Sequence, residues 1–250
     1  MNKSKFRHVA MAVVCSTIIM VVLVAGFNLI QQPVIKRICE MFGGNLPLGF
    51  IQYFTYIAFF WAMFELNERM QHVKFEQQGL NLKLLPEQEQ WVISPQEVHE
   101  LKLKMISMEE QHKYQVISVI KKACTKFRSS KSVSEVLEVV SKQVKLYMNQ
   151  AESQQAIVRF LAWVVPSLGF IGTVVGIAQS LGLAEKASDP EAMAEITNAM
   201  EVAFDTTLVA LLLSIPIMWL HNRLQENEES LYINMEDYVM ENLVNRINMS

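Results

Sequence analysis

The sequence predicts an all-α, multi-pass membrane protein with four transmembrane helices and a helical cytoplasmic region. Three observations carry this. The 250 residues are 51% hydrophobic and only 19% charged, a balance that suits a membrane chain with a sizeable aqueous part. Four apolar segments, 9–30, 50–64, 157–184 and 199–220, approach or exceed the roughly 20 residues that a helix needs to cross a core of about 30 Å. Between the second and third lie about 90 residues of amphipathic, helix-type sequence.

The first segment follows Lys3, Lys5 and Arg7, as a signal peptide would. Its apolar run is longer than such a peptide's, and no small-x-small cleavage site follows "VVLVAGFNLIQQP", so it reads as a retained anchor. The second segment is the shortest, at the lower limit for a span. Basic residues concentrate at the N-terminus and in the long middle region, including Lys121, Lys122, Lys126, Arg128 and Lys131. The link "EKASDPEAMAEITN" is mostly acidic, and only Lys36 and Arg37 in the first link run against the trend. This charge pattern puts both termini and the middle region in the cytoplasm, with two short links outside. Cys15, Cys39 and Cys124 then fall in a span, outside and inside, and are expected to be free thiols.

In the middle region Ser94 can cap a helix, Pro95 suits its first position, and Glu97 completes a capping box. Leu101, Met105, Met108, Val116 and Ile120 follow at helical spacing. "RSSKS" is a hinge, and Ser132 with Glu135 opens a second helix that no Gly or Pro interrupts over 133–165. That run is expected to start in the cytoplasm and continue into the membrane as one helix. Asp189 and Pro190 start the fourth span, so spans three and four form a tight antiparallel hairpin. Beyond it, Leu224, Leu231, Met235 and Tyr238 form an apolar stripe on a cytoplasmic tail helix. Four regions follow: a two-span segment 1–66, a cytoplasmic helical region 67–155, a transmembrane hairpin 156–222 and an amphipathic tail 223–250.

Enzyme chemistry has no support. "GFIGTVVG" lacks the Lys-Ser/Thr of a phosphate loop and lies in a span, and the five histidines are scattered without metal spacing. No cofactor or metal is expected. A net charge of −3 gives no argument for nucleic acid. The informative residues are in the hairpin. Gly169, Gly172 and Gly176 permit close helix approach, which explains them as packing alone. Pro166 and Pro216 each remove a donor and free a carbonyl one turn earlier, expected as kinks. Glu201 and Asp205, at i and i+4, share a face, and Asp205 stands about 9 Å in from Ala199. A carboxylate at that depth costs several kcal/mol and normally faces a bundle interior or a wet path. Thr206 and Thr207 beside it, with Thr173 across the hairpin, offer hydroxyls to an ion or a water. They equally well hydrogen-bond their own backbone four residues back.

"PSLGFIGTVVGIAQSL", followed after a short acidic link by "AMEVAFDTTLVALLLSIPI", resembles the signature hairpin of the MotA/TolQ/ExbB proton-channel family over about residues 155–225. Four spans resemble the flagellar-stator branch, whereas the wording "GFIGTVVGI" is closer to the TolQ and ExbB branch, so no branch is assigned. The resemblance implies a bacterial inner-membrane ring, a homo-pentamer around two single-span helices of a MotB/TolR/ExbD-like partner that carries the ion-binding aspartate. It implies an ion path for H+ or Na+ lined by Thr173 and Thr207 with Thr206 as a neighbour, and it places Pro166 at the inner end of the third span. Asp205 is not matched in every member, and Glu201 stands one place away from the acidic position of some of them. The alternative is a non-conducting scaffold that oligomerises through its glycines and recruits partners by its cytoplasmic helices.

Overall fold

The computed structural model describes residues 3–45, 49–87 and 92–247, with residues 3 and 4 described by backbone only. Its described residues are all helical apart from turns and one isolated bridge between Ile93 and Ile247. The eight α-helices are α1 (Lys3–Leu29), α2 (Pro33–Met41), α3 (Phe50–Leu80), α4 (Pro95–Gln111), α5 (Gln115–Ser130), α6 (Val133–Gln154), α7 (Ala156–Gly182) and α8 (Pro190–Asn242). Among the described residues three helical runs are long and apolar enough to cross a membrane: α1, the α6–α7 run and α8. Helix α3 is 31 residues long, but its apolar part, 50–64, gives way to Glu65, Glu68 and Arg69. At 1.5 Å per residue that part extends roughly 22 Å, short of a full core.

The chain divides into two compact units, 1–67 with 156–222, and 68–155 with 223–250. In the first, α1 and α3 are joined by polar contacts inside otherwise apolar faces. His8 Nδ1 lies 3.0 Å from Glu65 Oε2, both buried, and the Thr17 and Tyr53 hydroxyls are 3.1 Å apart. Tyr56 donates to the carbonyl of Phe42 at 2.7 Å, fixing the turn after α2. Helix α2 was not expected. Pro33 at its first turn pre-sets the helical φ, and the chain folds nine residues, "PVIKRICEM", into a helix none of whose residues is buried.

The second unit holds a conventional core. Val98 and Met105 of α4, Val116, Ile117, Ile120, Cys124 and Phe127 of α5, Val136, Val140 and Val144 of α6, and Met235 and Val239 of α8 form one buried cluster. The capping box at Ser94 is complete, with the Ser94 N–H donating to the Glu97 carboxylate at 2.7 Å. Lys131 takes the left-handed conformation at φ 50° that ends α5, and Ser132 caps α6. Burial pushes the Cys124 thiol up to about 12, so it is an inert core residue.

Two long runs differ from the expectation. The helix over 133–165 is broken once, at Gln155, whose N–H is shared between the carbonyls of Ala151 and Glu152, both 3.2 Å away. Sharing of this kind tightens a single turn without a Gly or Pro to announce it. By contrast, α8 is not broken where the fourth span gives way to the tail. Its 53 residues form one helix of about 80 Å, and Leu224, Leu231 and Met235 are buried along it. Pro166 and Pro216 both lie inside continuous helices.

Candidate functional site in the α7–α8 hairpin

Small residues set the spacing of α7 and α8. Gly169, Gly172, Gly176 and Ser180 form one buried edge of α7. Ala199, Ala203, Thr206 and Ala210, spaced three to four apart, are buried on α8. A Cβ added at Gly176 would stand 2.5 Å from the carbonyl oxygen of Ala199, and one at Gly169 would stand 2.5 Å from Cβ of Ala210. At Gly172 it would meet the side chain of Thr206. The backbones therefore approach as closely as glycine allows, the geometry in which dispersion and cross-helix hydrogen bonds hold membrane helices together. Ser180 adds a bond to the carbonyl of Ile196 at 3.2 Å.

The three threonines divide between two jobs. Thr206 is 2% exposed, sits in the seam against Gly172 and donates to its own helix, at Val202 (2.9 Å) or Ala203 (3.0 Å). It is absorbed by packing. Thr173 and Thr207 are half-buried and hydrogen-bond each other across the seam. Thr207 also reaches the carbonyl of Gly169 at 2.9 Å, and Thr173 reaches that of Ala203 at 3.1 Å.

Two hydroxyls carry two protons, and each has three acceptors in reach: the other hydroxyl, the carbonyl across the seam, and the carbonyl four residues back in its own helix, Gly169 at 3.4 Å for Thr173 and Ala203 at 3.3 Å for Thr207. Only two contacts can be filled at once. Both can donate to carbonyls, Thr173 to Ala203 and Thr207 to Gly169, or one can donate to the other while the second serves a carbonyl. Exchange among these arrangements needs hydroxyl rotation alone. In each of them every hydroxyl oxygen retains at least one lone pair for a water, a cation or a proton donor.

Asp205 is buried and points elsewhere. Its carboxylate takes two hydrogen bonds from Arg37 of α2, 2.7 Å from Nη1 and 3.1 Å from Nη2. Such two-pronged guanidinium–carboxylate contacts are the strong, oriented form of ion pair. Glu201 and Glu40 each place a carboxylate oxygen 3.7 Å from the same Nη1. Glu201 and Asp205 thus share a face, as their spacing requires, and that face meets Arg37. Sequence reasoning singled out Arg37 only as a charge on the unexpected side. The signal was present, since a lone arginine in a short link and a lone aspartate in a span solve each other's problem. Pro166 and Pro216 lie in α7 and α8 outside this network.

No curated protein matches the chain. The pattern of the MotA/TolQ/ExbB proton channel family matches residues 111–237, just over half of the chain and all of the hairpin.

Proposed function

Because the chain belongs to the MotA/TolQ/ExbB proton channel family, we propose that it is an ion-conducting subunit of a bacterial inner-membrane motor complex. In this reading five copies surround two single-span helices of a MotB/TolR/ExbD-like partner, and the partner's aspartate carries the ion, H+ in the first instance. The observation that carries the reading is the Thr173–Thr207 pair. A stripe of small residues explains the close approach of α7 and α8, and carbonyls in reach can serve both hydroxyls; what supports an ion path is that the two are only half-buried and also bond to each other across the seam.

The work available is about 2.3 kcal/mol per charge per 100 mV, and it is gained only if a protonatable group is reachable from both sides. A carboxylate entering hydrocarbon needs hydrogen-bond donors to remain charged and acceptors to be held when neutral. Thr173 and Thr207 supply both, because reversing their bond turns an acceptor oxygen into a donor without moving a heavy atom. Pro166 and Pro216 leave carbonyls without their usual amide partners, one turn earlier on each helix, as further acceptors beside the path. Gly169, Gly172 and Gly176 keep the pair at bonding distance. Topologically, 50–64 makes a short fourth crossing, both termini and the region 67–155 are cytoplasmic, and the stretch 223–250 serves that region. Arg37 then lies outside as the partner of Asp205, which accounts for a charge on the side where basic residues are scarce.

The scaffold reading is favoured by one observation, the absorption of Thr206 and the glycines into the seam. The two readings separate on Thr173→Ala with Thr207→Ala, made together in the full chain in its native host. Loss of cytoplasmic proton entry with normal membrane assembly is expected. Full proton entry and full activity of the parent system would sink the ion path and leave the scaffold.

A further inference from the structure

The first link contributes more than a turn. Helix α2 has no buried residue, and its apolar side chains Val34, Ile35 and Ile38 are exposed. No core holds it against the hairpin. Among the described residues its polar tether to α8 is Arg37, with two hydrogen bonds to Asp205 and a third carboxylate contact to Glu201.

The two ends of that tether differ in a way that decides which can let go. The Arg37 side chain is 42% exposed and that of Asp205 only 10%. Arg37 is already in contact with water and can withdraw into it at small desolvation cost, carrying its charge with it. Asp205 cannot follow, since it belongs to the middle of a long helix packed along α7. Withdrawal of Arg37 therefore leaves one buried carboxylate uncompensated, with Glu201 on the same face adding a second negative charge. An uncompensated buried charge is strongly unfavourable and is relieved by a proton or a cation.

We propose that Arg37 is a releasable counter-ion lock: α2 docked on Asp205 pairs its charge and keeps the hairpin closed to cations, and undocking of α2 converts Asp205 into a cation-attracting carboxylate one residue from Thr206 and two from Thr207. This rests on the reading of the hairpin as an ion path and adds its regulation. Arg37 acts through Asp205, so it is a positioning residue and its removal has a structural and an electrical readout. The exposed apolar side chains of α2 give the undocked helix a place to rest, since an amphipathic helix lies at a membrane surface with such residues in the acyl boundary.

The native Cys39, on α2, has its thiol beside Gly26 of α1 and reports movement of α2. Cys15 and Cys39 are partly buried and Cys124 is buried in the second unit, so labelling is read in a Cys15→Ser background. In intact cells making the full chain, a membrane-impermeant maleimide is expected to label Cys39 slowly in that background. Labelling should be about tenfold faster in Arg37→Gln and in Asp205→Asn, the effect of losing a well-formed charged pair. The exchange Arg37→Asp with Asp205→Arg should restore slow labelling. A cytoplasmic pH-sensitive fluorophore should show faster acidification in Arg37→Gln and a return to baseline when Thr173→Ala and Thr207→Ala are added. If Arg37→Gln fails to accumulate, Arg37→Lys keeps the charge, loses the second prong and should accelerate labelling less. Unchanged labelling in the variants that accumulate, or no labelling in any of them, overturns the lock. So does fast labelling without faster acidification. Acidification that persists after both threonines are removed overturns the ion path itself and not the docking.

Discussion

Gly176→Ala is the sharpest test of the seam. The added methyl carbon would sit 2.5 Å from the Ala199 carbonyl oxygen and 2.7 Å from Cβ of Ala203, whereas ordinary contacts begin near 3.4 Å. The two helices must therefore separate locally by about 0.9 Å, because the obstacle is backbone and no rotamer change removes it. Overpacking of this kind costs about 1–3 kcal/mol, and a backbone obstacle belongs in the upper half of that range. Alanine returns up to about 1 kcal/mol of helix propensity, so the net loss is about 1–2 kcal/mol. Gly182 is the internal reference, since nothing lies within 4 Å of a Cβ placed there. Gly182→Ala should be neutral or slightly stabilising. Gly172→Ala should cost about as much as Gly176→Ala, because the added carbon would stand 2.5 Å from Cβ of Thr206, which no rotamer change moves. The assay is reversible unfolding of the full chain in mixed micelles by increasing detergent denaturant, followed by helical circular dichroism. A separation of 0.9 Å should also part Thr173 from Thr207 and lower proton entry in step with stability. If Gly176→Ala proves as stable as Gly182→Ala, the reasoning from close approach is refuted.

Two further outcomes concern the second unit. Glu76 is 2% exposed and burial raises its pKa above the ordinary 4.5, opposed by the hydrogen bond from the Gln115 N–H. A raised folded-state value means that this group's stability contribution is full below about pH 4.5 and is lost as pH rises through the folded value. Thermal unfolding of the full chain should show this decline from pH 4 upward, and Glu76→Gln, which keeps an acceptor for Gln115, should flatten it. Ser94→Ala removes the cap of α4 and should cost about 1 kcal/mol in the same measurement. Loss of well under half that would mean that α4 is held by Val98 and Met105 alone.

How much was legible follows from the range of each interaction. The apolar runs of α1, α7 and α8, the capping box at Ser94 and the cap at Ser132 are written in residues within a few positions of one another, and sequence rules that work at that range read them. The glycines and Thr173 were legible as a set because helical spacing puts them on one face. What Thr206 and Thr207 each do was not, since neighbours 100° apart on a helix can be told apart only by what lies opposite. Arg37 and Asp205 stand 168 residues apart, and nothing local in either stretch names the other. Helix α2 escaped notice because nine residues are too few for periodicity to stand above noise. The turn at Gln155 has neither Gly nor Pro, so no local breaker marked it.

The paired threonines carry one more implication. In the two arrangements where one hydroxyl donates to the other, that bond reverses direction and the carbonyl served changes from Gly169 to Ala203, an exchange of equivalent parts across the seam. A switch whose halves are so alike has no inherent sense of forward and backward. Whatever vectorial behaviour the hairpin shows has to be imposed on the pair from elsewhere, by the electric field across it or by the unequal charge at its two ends. Reversing that bias should reverse the traffic without any change in the threonines themselves.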